Sequence, residues 1–380
     1  MRLAVYTDYT YRRDERGASG ERAFVRFMVA LAPEVDRLVL VGRLDPEPGR
    51  SHYPLPDGVE LLGLPFYSSL TQPLRVIASL GRSAVRFWRL LRDVDTVWLL
   101  GPYIHAVGFA LLALARRRTV VLGVRQDFPT YVRSRHPGRR WIHAAADALE
   151  RTFRLLGRRL PVVVVGPDLA RNYAGSARLL ELTVSLVADA ELVAPEAALA
   201  RPEHDPVRIL SVGRLDREKN PLLLADVLAG LGRATAWQLV VAGDGPMRAE
   251  VEARLDAVGE RDRADLRGYV PIDGGLAELY RSSDVFLHVS WTEGLPQVLF
   301  EAFAAGIPVV ATDVGGIAAA VGDAVLLIPP GDPQAAVAAL RRVREEAGLR
   351  ERLVRAGHAC VRAHTLEREA AALVAFLEGR

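Results

Sequence analysis

The 380-residue chain holds one cysteine, Cys360. A single thiol excludes an internal disulfide and a cysteine-based metal cluster. Lysine is as scarce: of 49 basic residues, only Lys219 is not arginine. Where arginine has replaced lysine so widely, the site that keeps it is a candidate for a compact ammonium, which arginine's planar fork does not reproduce. Chance survival of one lysine is the competing reading. Long apolar runs are missing too. No stretch approaches eighteen unbroken apolar residues, so no spanning helix is expected. The opening MRLAVYTD is too short and too polar for a signal peptide and reads as a first strand, which makes a cytoplasmic protein the default.

What is present points to a globular chain. Half the residues are hydrophobic and a quarter are charged, with no compositional mark of disorder. The length has room for two domains. The net charge of +3 hides an asymmetry: residues 1–205 carry 29 arginines against 22 acids, and residues 206–380 carry 20 basic residues against 24 acids. A basic front half suggests an acidic partner or the inner face of a membrane.

Strand and helix patterns alternate. RLAVYTD (2–8) reads as a strand. A polar loop with Gly17 and Gly20 follows, then a helix with Phe24, Phe27, Met28 and Leu31 on one face, then the strand RLVLVG (37–42). This order opens a doubly wound unit. The glycine loop either brings backbone N–H groups to an anion or is a plain connection. VELLGL (59–64), TVWLLG (96–101), TVVLGV (119–124) and PVVVVG (161–166) are further strands. Residues 74–95 form an amphipathic helix or pair rich in arginine, suited to core packing or to an anionic membrane. At the expected ligand edge of the sheet, TVVLGV is followed by Arg125 and Asp127, and His105 lies near a helix start.

A second alternating series begins at VRILSVG (207–213) and continues through strands with their following loops at 238–246, 264–270, 284–290, 307–313 and 324–332. SVGRLDREKNP (211–221) ends its first strand. Gly213 permits a tight turn, and Asn220-Pro221 starts a helix. Arg214 and Lys219 are two cations able to neutralise a diphosphate, or Arg214 pairs with Asp216 or Glu218. VAGDGPMR (241–248) has two glycines of a dinucleotide fingerprint, but Arg248 stands where the third belongs. In SWTEGLPQVLFEAFAAGIPVVATDVGG (290–316), Pro296 suits the first helical position. Gly306 fits just past the helix end, and IPVVAT reads as a buried strand. That helix start offers free N–H groups to phosphate. Glu293 and Glu301 beside it can accept hydrogen bonds from hydroxyls, or are simply solvated acids.

SVGRLDREKNP, VAGDGP and EGLPQVLFEAFAAGIPVVATDVGG, in that order and spacing, resemble the retaining glycosyltransferases of family 4. Glu293 and Glu301 match that family's E-x7-E signature. The resemblance covers roughly residues 207–332. It implies a GT-B fold: α/β, with two Rossmann-like doubly wound domains facing across a cleft. The expected divisions are 1–195 for acceptor binding, 196–360 for the nucleotide-sugar donor, and a C-terminal helix at 361–380 that returns to the first domain.

The resemblance further implies that Arg214 and Lys219 hold the donor phosphates and stabilise the leaving diphosphate. Glu301 binds the ribose. Glu293, with the backbone of Gly294, Leu295 and Pro296, grips the sugar, and the Val298 N–H meets the phosphates. Tyr269 and Val270, after Gly268, pack on the base, and Gly213 and Gly245 belong to the donor loops. No metal and no other cofactor is implied, and those sheet edges carry no Asp-x-Asp pair of the kind that holds Mg²⁺. The chain departs from the family at Arg125, where histidine is usual, and after the double glycine, where an acid is usual. His105, Arg125 and Asp127 are the acceptor-side candidates.

The expected function is retaining transfer of a sugar from a nucleotide-diphosphate sugar to a glycan, glycolipid or small-molecule acceptor, with no nucleic-acid partner. Alternatives are a sugar-nucleotide epimerase of the same fold, a non-catalytic nucleotide-sugar-binding protein, and an NAD-dependent dehydrogenase, which Arg248 disfavours.

Overall fold

A computed structural model describes residues 1–67, 73–136, 138–271, 274–293 and 296–379. The chain forms two α/β units, Met1–Val184 with Leu366–Arg380, and Ser185–Thr365. The sequence reading sets its divisions at 195/196 and 360/361.

The first unit is built on β1 (Arg2–Asp14), β2 (Gly17–Gly20), β3 (Arg37–Leu44), β4 (Tyr53–Pro54), β5 (Val59–Leu64), β6 (Thr96–Gly101), β7 (Thr119–Val124), β8 (Pro161–Val165) and β9 (Arg178–Leu182). The parallel core runs β5-β3-β1-β6-β7-β8-β9. Its central strands β6, β7 and β8 are near-continuous apolar runs because helices cover both faces. The expected glycine loop takes a different form. β1 continues past Asp8, and Gly17–Gly20 pairs back on Tyr11–Asp14 as an antiparallel hairpin. Gly17 supplies the positive φ of the turn (118°). Gly20 sits where a Cβ would lie 2.6 Å from the Val25 side chain. The two glycines therefore serve the backbone of a hairpin.

The second unit is an all-parallel sheet of β10 (Val207–Val212), β11 (Trp237–Ala242), β12 (Ala264–Gly268), β13 (Val285–His288), β14 (Val309–Thr312) and β15 (Val325–Ile328). Its order is β12-β11-β10-β13-β14-β15. The order reverses between β10 and β13, and such a switch point opens a crevice beyond the strand ends. The helices Leu222–Leu231 and Pro333–Glu345 close one apolar core, and Gln297–Ala304 closes the other.

The last helix, Leu366–Leu377, belongs to the first unit. The Thr183 N–H donates to Glu369 at 3.2 Å, and Arg178 lies over the Phe376 ring at 4.6 Å. No helix among the described residues is long and apolar enough to cross a membrane.

Candidate active site

Loops from the C-terminal ends of β10, β11 and β12 meet through glycine backbones. The Gly213 N–H donates to the Ala242 carbonyl at 3.0 Å, and the Gly243 N–H donates to that of Gly268 at 2.7 Å. A Cβ at Gly243 would lie 1.8 Å from the Gly213 carbonyl oxygen, so the crossing admits only glycine. A Cβ at Gly245 would lie 2.6 Å from the Leu215 carbonyl oxygen, and its N–H donates to Asp244 at 2.8 Å. Its observed part is to seat one loop on another. Arg248 reaches the Leu266 carbonyl at 3.1 Å, filling the helix–strand gap that a dinucleotide fingerprint keeps small with glycine.

Across the switch point, the chain leaves β13 and turns into the helix Gln297–Ala304. Pro296 stands one position earlier than expected. Its ψ of 121° is extended, so it precedes the first helical residue. Pro296 makes no side-chain cap to this helix start. Of the first-turn amides, the Leu299 N–H donates back to the Pro296 carbonyl at 3.2 Å, while Gln297 and Val298 precede it at the end where helix amides have no intrahelical partner. Gly306 has φ 69° just past the helix, as expected. Glu293 is fixed by a second backbone crossing: a Cβ at Gly315 would lie 1.9 Å from its carbonyl oxygen. Gly294 and Leu295 lie outside the described residues.

These loops bring Gly213, Arg214, Lys219, Glu293, Pro296 and Val298 to one concavity in the second unit. Lys219 Nζ donates to Glu293 Oε1 at 2.5 Å. Ser290 Oγ donates to the same oxygen at 2.6 Å, and His288 Nε2 lies 3.0 Å from it. Burial pushes the Glu293 carboxyl up, but the hydrogen bond from His288 and the Lys219 charge outweigh it and hold the group at about 2. Glu293 is therefore a fixed anion at neutral pH. Arg214 is more exposed and pairs with both Asp216 and Glu218. Glu301 accepts from the buried Tyr280 hydroxyl at 2.8 Å. Tyr269 is exposed and Val270 half-buried. They, with Gly245 and Glu301, are not among the described residues lining this concavity.

His288, Ser290 and Tyr280 escaped the sequence reading. Their signal was weak: two polar residues at the end of the strand pattern DVFLHVS, and one tyrosine on a short helix.

In the first unit, each acceptor-side candidate has its own contacts. His105 is buried. Its Nε2 lies 3.0 Å from Ser79 Oγ, and its ring stacks on Tyr67. Burial and the Arg43 charge lower it to about 4. The Arg125 guanidinium lies 3.6 Å over the Phe24 ring and donates to the Tyr9 hydroxyl. Asp127 accepts from the Thr130 N–H at 3.0 Å and caps the helix Phe128–Arg135.

Residues 197–359 match the family model "Glycosyl transferases group 1". The chain is 32% identical over 281 residues to the GDP-mannose-dependent alpha-mannosyltransferase of Mycobacterium tuberculosis (strain CDC 1551 / Oshkosh), covering 69% of this chain and 66% of that one. It is 30% identical over 224 residues to the sulfoquinovosyl transferase SQD2 of Arabidopsis thaliana, covering 56% of this chain and 40% of that one. It thus spans about two fifths to two thirds of the length of these relatives. The crystal structure of Anabaena HepE in complex with UDP covers 100% of both chains with a TM-score of 0.72 at 15% identity. At that identity the likeness establishes the fold, which is GT-B. The family match falls in the second unit, where residues 197–359 are similar to glycosyl transferases group 1.

Proposed function

We propose that the chain transfers a hexosyl or related sugar from a nucleoside diphosphate sugar to an acceptor hydroxyl, with retention of anomeric configuration and without a metal ion. The observation that carries this reading is the gathering of Lys219, Glu293 and an uncapped helix start in one concavity at the switch point.

A leaving diphosphate gains negative charge as the anomeric C–O bond breaks. Preorganised cations and backbone N–H groups placed where that charge develops lower the barrier. Lys219 supplies the ammonium and the Val298 region supplies the amides. Arg214 joins by exchanging Asp216 and Glu218 for phosphate oxygens. Glu293, ionised and held through Oε1, orients sugar hydroxyls and faces the positive charge that builds at the anomeric carbon. Glu301, oriented by Tyr280, takes the ribose hydroxyls. The acceptor oxygen attacks from the face that the diphosphate leaves. Its proton passes to the departing phosphate oxygen, which accounts for retention with no protein nucleophile. The acceptor is a glycan, a glycolipid or a small molecule. The first unit is its proposed seat.

One relative is named for GDP-mannose and one structural neighbour holds UDP, so the donor base is the first quantity to measure. Thermal unfolding with UDP, GDP, ADP and TDP, and with their sugars, is expected to show stabilisation by one base family in EDTA as in Mg²⁺, by mass action. Stabilisation only by NAD(H) would overturn the reading. Turnover of the donor to its epimer without acceptor would replace it with an epimerase.

A further inference from the structure

The helices Pro73–Leu90, Ile104–Ala115 and Arg140–Gly157 cover one face of the first unit's sheet. Phe87, Phe109 and Phe153, one from each, lie in the same core. The middle helix touches both neighbours, and the Phe87 and Phe109 rings stack with centroids 4.1 Å apart. A helix layer that meets only water turns polar residues outward. This one does not. Val85, Ile104, Leu111, Leu114, Trp141 and Leu155 are each at least 40% exposed. Elsewhere among the described residues the comparably exposed large apolar side chains are all single aromatics: Phe66, Tyr131, Tyr269 and Trp291. The exposed large aliphatic side chains are thus concentrated on this one layer.

The pattern along the layer is ordered. Ile104, Leu111 and Leu114 form one stripe of the middle helix, which carries no Asp, Glu, Lys or Arg. The first helix has four arginines and no acid. Its outward face shows Arg82, Arg86 and Arg89 around Val85. The third helix has two acids, and both are already paired: Asp147 with Arg133 at 2.8 Å and Glu150 with Arg154 at 2.9 Å. Exposed Arg151, Arg158 and Arg159 lie along and just beyond it. An apolar stripe between arginine-rich margins, with the local acids paired, is complementary to a surface that is apolar inside and anionic outside.

We propose that this layer is a docking face for an anionic phospholipid bilayer. The Ile104–Leu114 stripe and Leu155 enter the boundary between headgroups and acyl chains, Trp141 sits at the headgroup level, and the arginines meet the phosphates. Attachment is peripheral. A second copy of this chain suits the face less well, because a two-fold contact through it brings two arginine-rimmed surfaces together.

This proposal stands independently of the transferase reading, and its test involves no turnover. The full chain is sedimented with phosphatidylcholine vesicles, with and without phosphatidylglycerol, at low and high salt. Wild type is expected to partition onto the anionic vesicles and to be released by salt. Leu111→Glu with Leu114→Glu is expected to abolish binding. Each reversal in Arg82→Glu and Arg89→Glu is expected to weaken partition by roughly fivefold or more. Unchanged circular dichroism and an unchanged melting temperature establish that the variants are folded. Absence of binding to anionic vesicles overturns the proposal, as does equal binding by wild type and variants. A concentration-dependent dimer that Leu111→Glu dissolves, without vesicle binding, overturns it in favour of a second copy.

Discussion

Lys219 and Glu293 lie 74 residues apart in the chain, yet the ammonium donates to the carboxylate at 2.5 Å. The only lysine of the protein is thus committed to the second of the two loops that flank the switch point. Lys219→Arg keeps the charge but not the compact geometry. It is expected to lower kcat by about 10²–10³-fold, the scale for losing one preorganised group at a developing anion. Steady-state kinetics beside circular dichroism check this. Full activity in the arginine variant would show that any cation serves.

Gly213 and Gly315 separate space from strain. A Cβ at Gly213 meets nothing within 4 Å, whereas one at Gly315 strikes the Glu293 carbonyl and needs φ 58°. Gly213→Ala is therefore expected to leave the melting temperature of the free protein unchanged and to shrink its nucleotide-induced shift. Gly315→Ala is expected to lower the melting temperature itself and to displace Glu293. Equal behaviour of the two variants would remove the assignment of the open space to donor phosphates.

The pH profile should report the donors around Glu293. Its folded carboxyl is held at about 2, so the needed anion is present above that value and lost as pH falls through it. No acid limb from Glu293 is expected in wild type at mildly acidic pH. Ser290→Ala and His288→Phe remove hydrogen-bond donors and should raise the pKa toward the ordinary 4.5, bringing an acid limb into view. Donor binding measured from pH 7 down to pH 4 checks this.

His105 makes a separate prediction about stability. Its pKa is lowered from 6.5 to about 4, so between these values the unfolded chain binds a proton that the folded chain refuses. Stability then rises with pH across this window and falls as pH drops from 6.5 toward 4, by up to roughly 3 kcal/mol. His105→Gln is expected to flatten that slope in chemical denaturation of the first unit. An unchanged slope would assign it to other groups.

Metal independence has a direct check. With Lys219, Arg214 and helix amides carrying the charge, extended EDTA treatment should leave transfer within about twofold of the untreated rate. Loss of activity restored by Mg²⁺ would show that these groups do not suffice.

Much of the architecture was legible because βα alternation writes itself as apolar runs broken by glycine and proline. The sequence limits of β5, β6 and β7 match the observed ones. Gly306 took its place because a helix end needs a positive φ. The hairpin at Gly17–Gly20 was not legible. Its partner is the neighbouring Tyr11–Asp14, but both arms are polar and lack the apolar alternation that marks a strand, and glycine in sequence marks a freedom without saying what uses it. β9, Arg178–Leu182, was missed because RLLEL carries charge at both faces of an edge strand.

The site divides in the same way. Lys219 and Glu293 were named from local motifs, but their mutual contact depends on strands 74 residues apart. His288 and Ser290 look like ordinary strand-end residues until the fold turns them toward Glu293. The sequence reading left Arg214 either a cation for phosphate or a partner of Asp216 or Glu218; in the fold it is paired with both acids.

The return of Leu366–Leu377 to the first unit has a consequence for how the protein is made. The second unit is one uninterrupted stretch, so the ribosome can release it whole before Leu366 emerges. The unit whose first strand is synthesised earliest is therefore the last to be completed, and until then Arg178 of β9 lacks its Phe376 contact and Thr183, just after β9, lacks Glu369. A stop codon near residue 365 would leave every residue of the nucleotide-sugar candidate site intact and still strand the nascent chain with an open, aggregation-prone amino-terminal half.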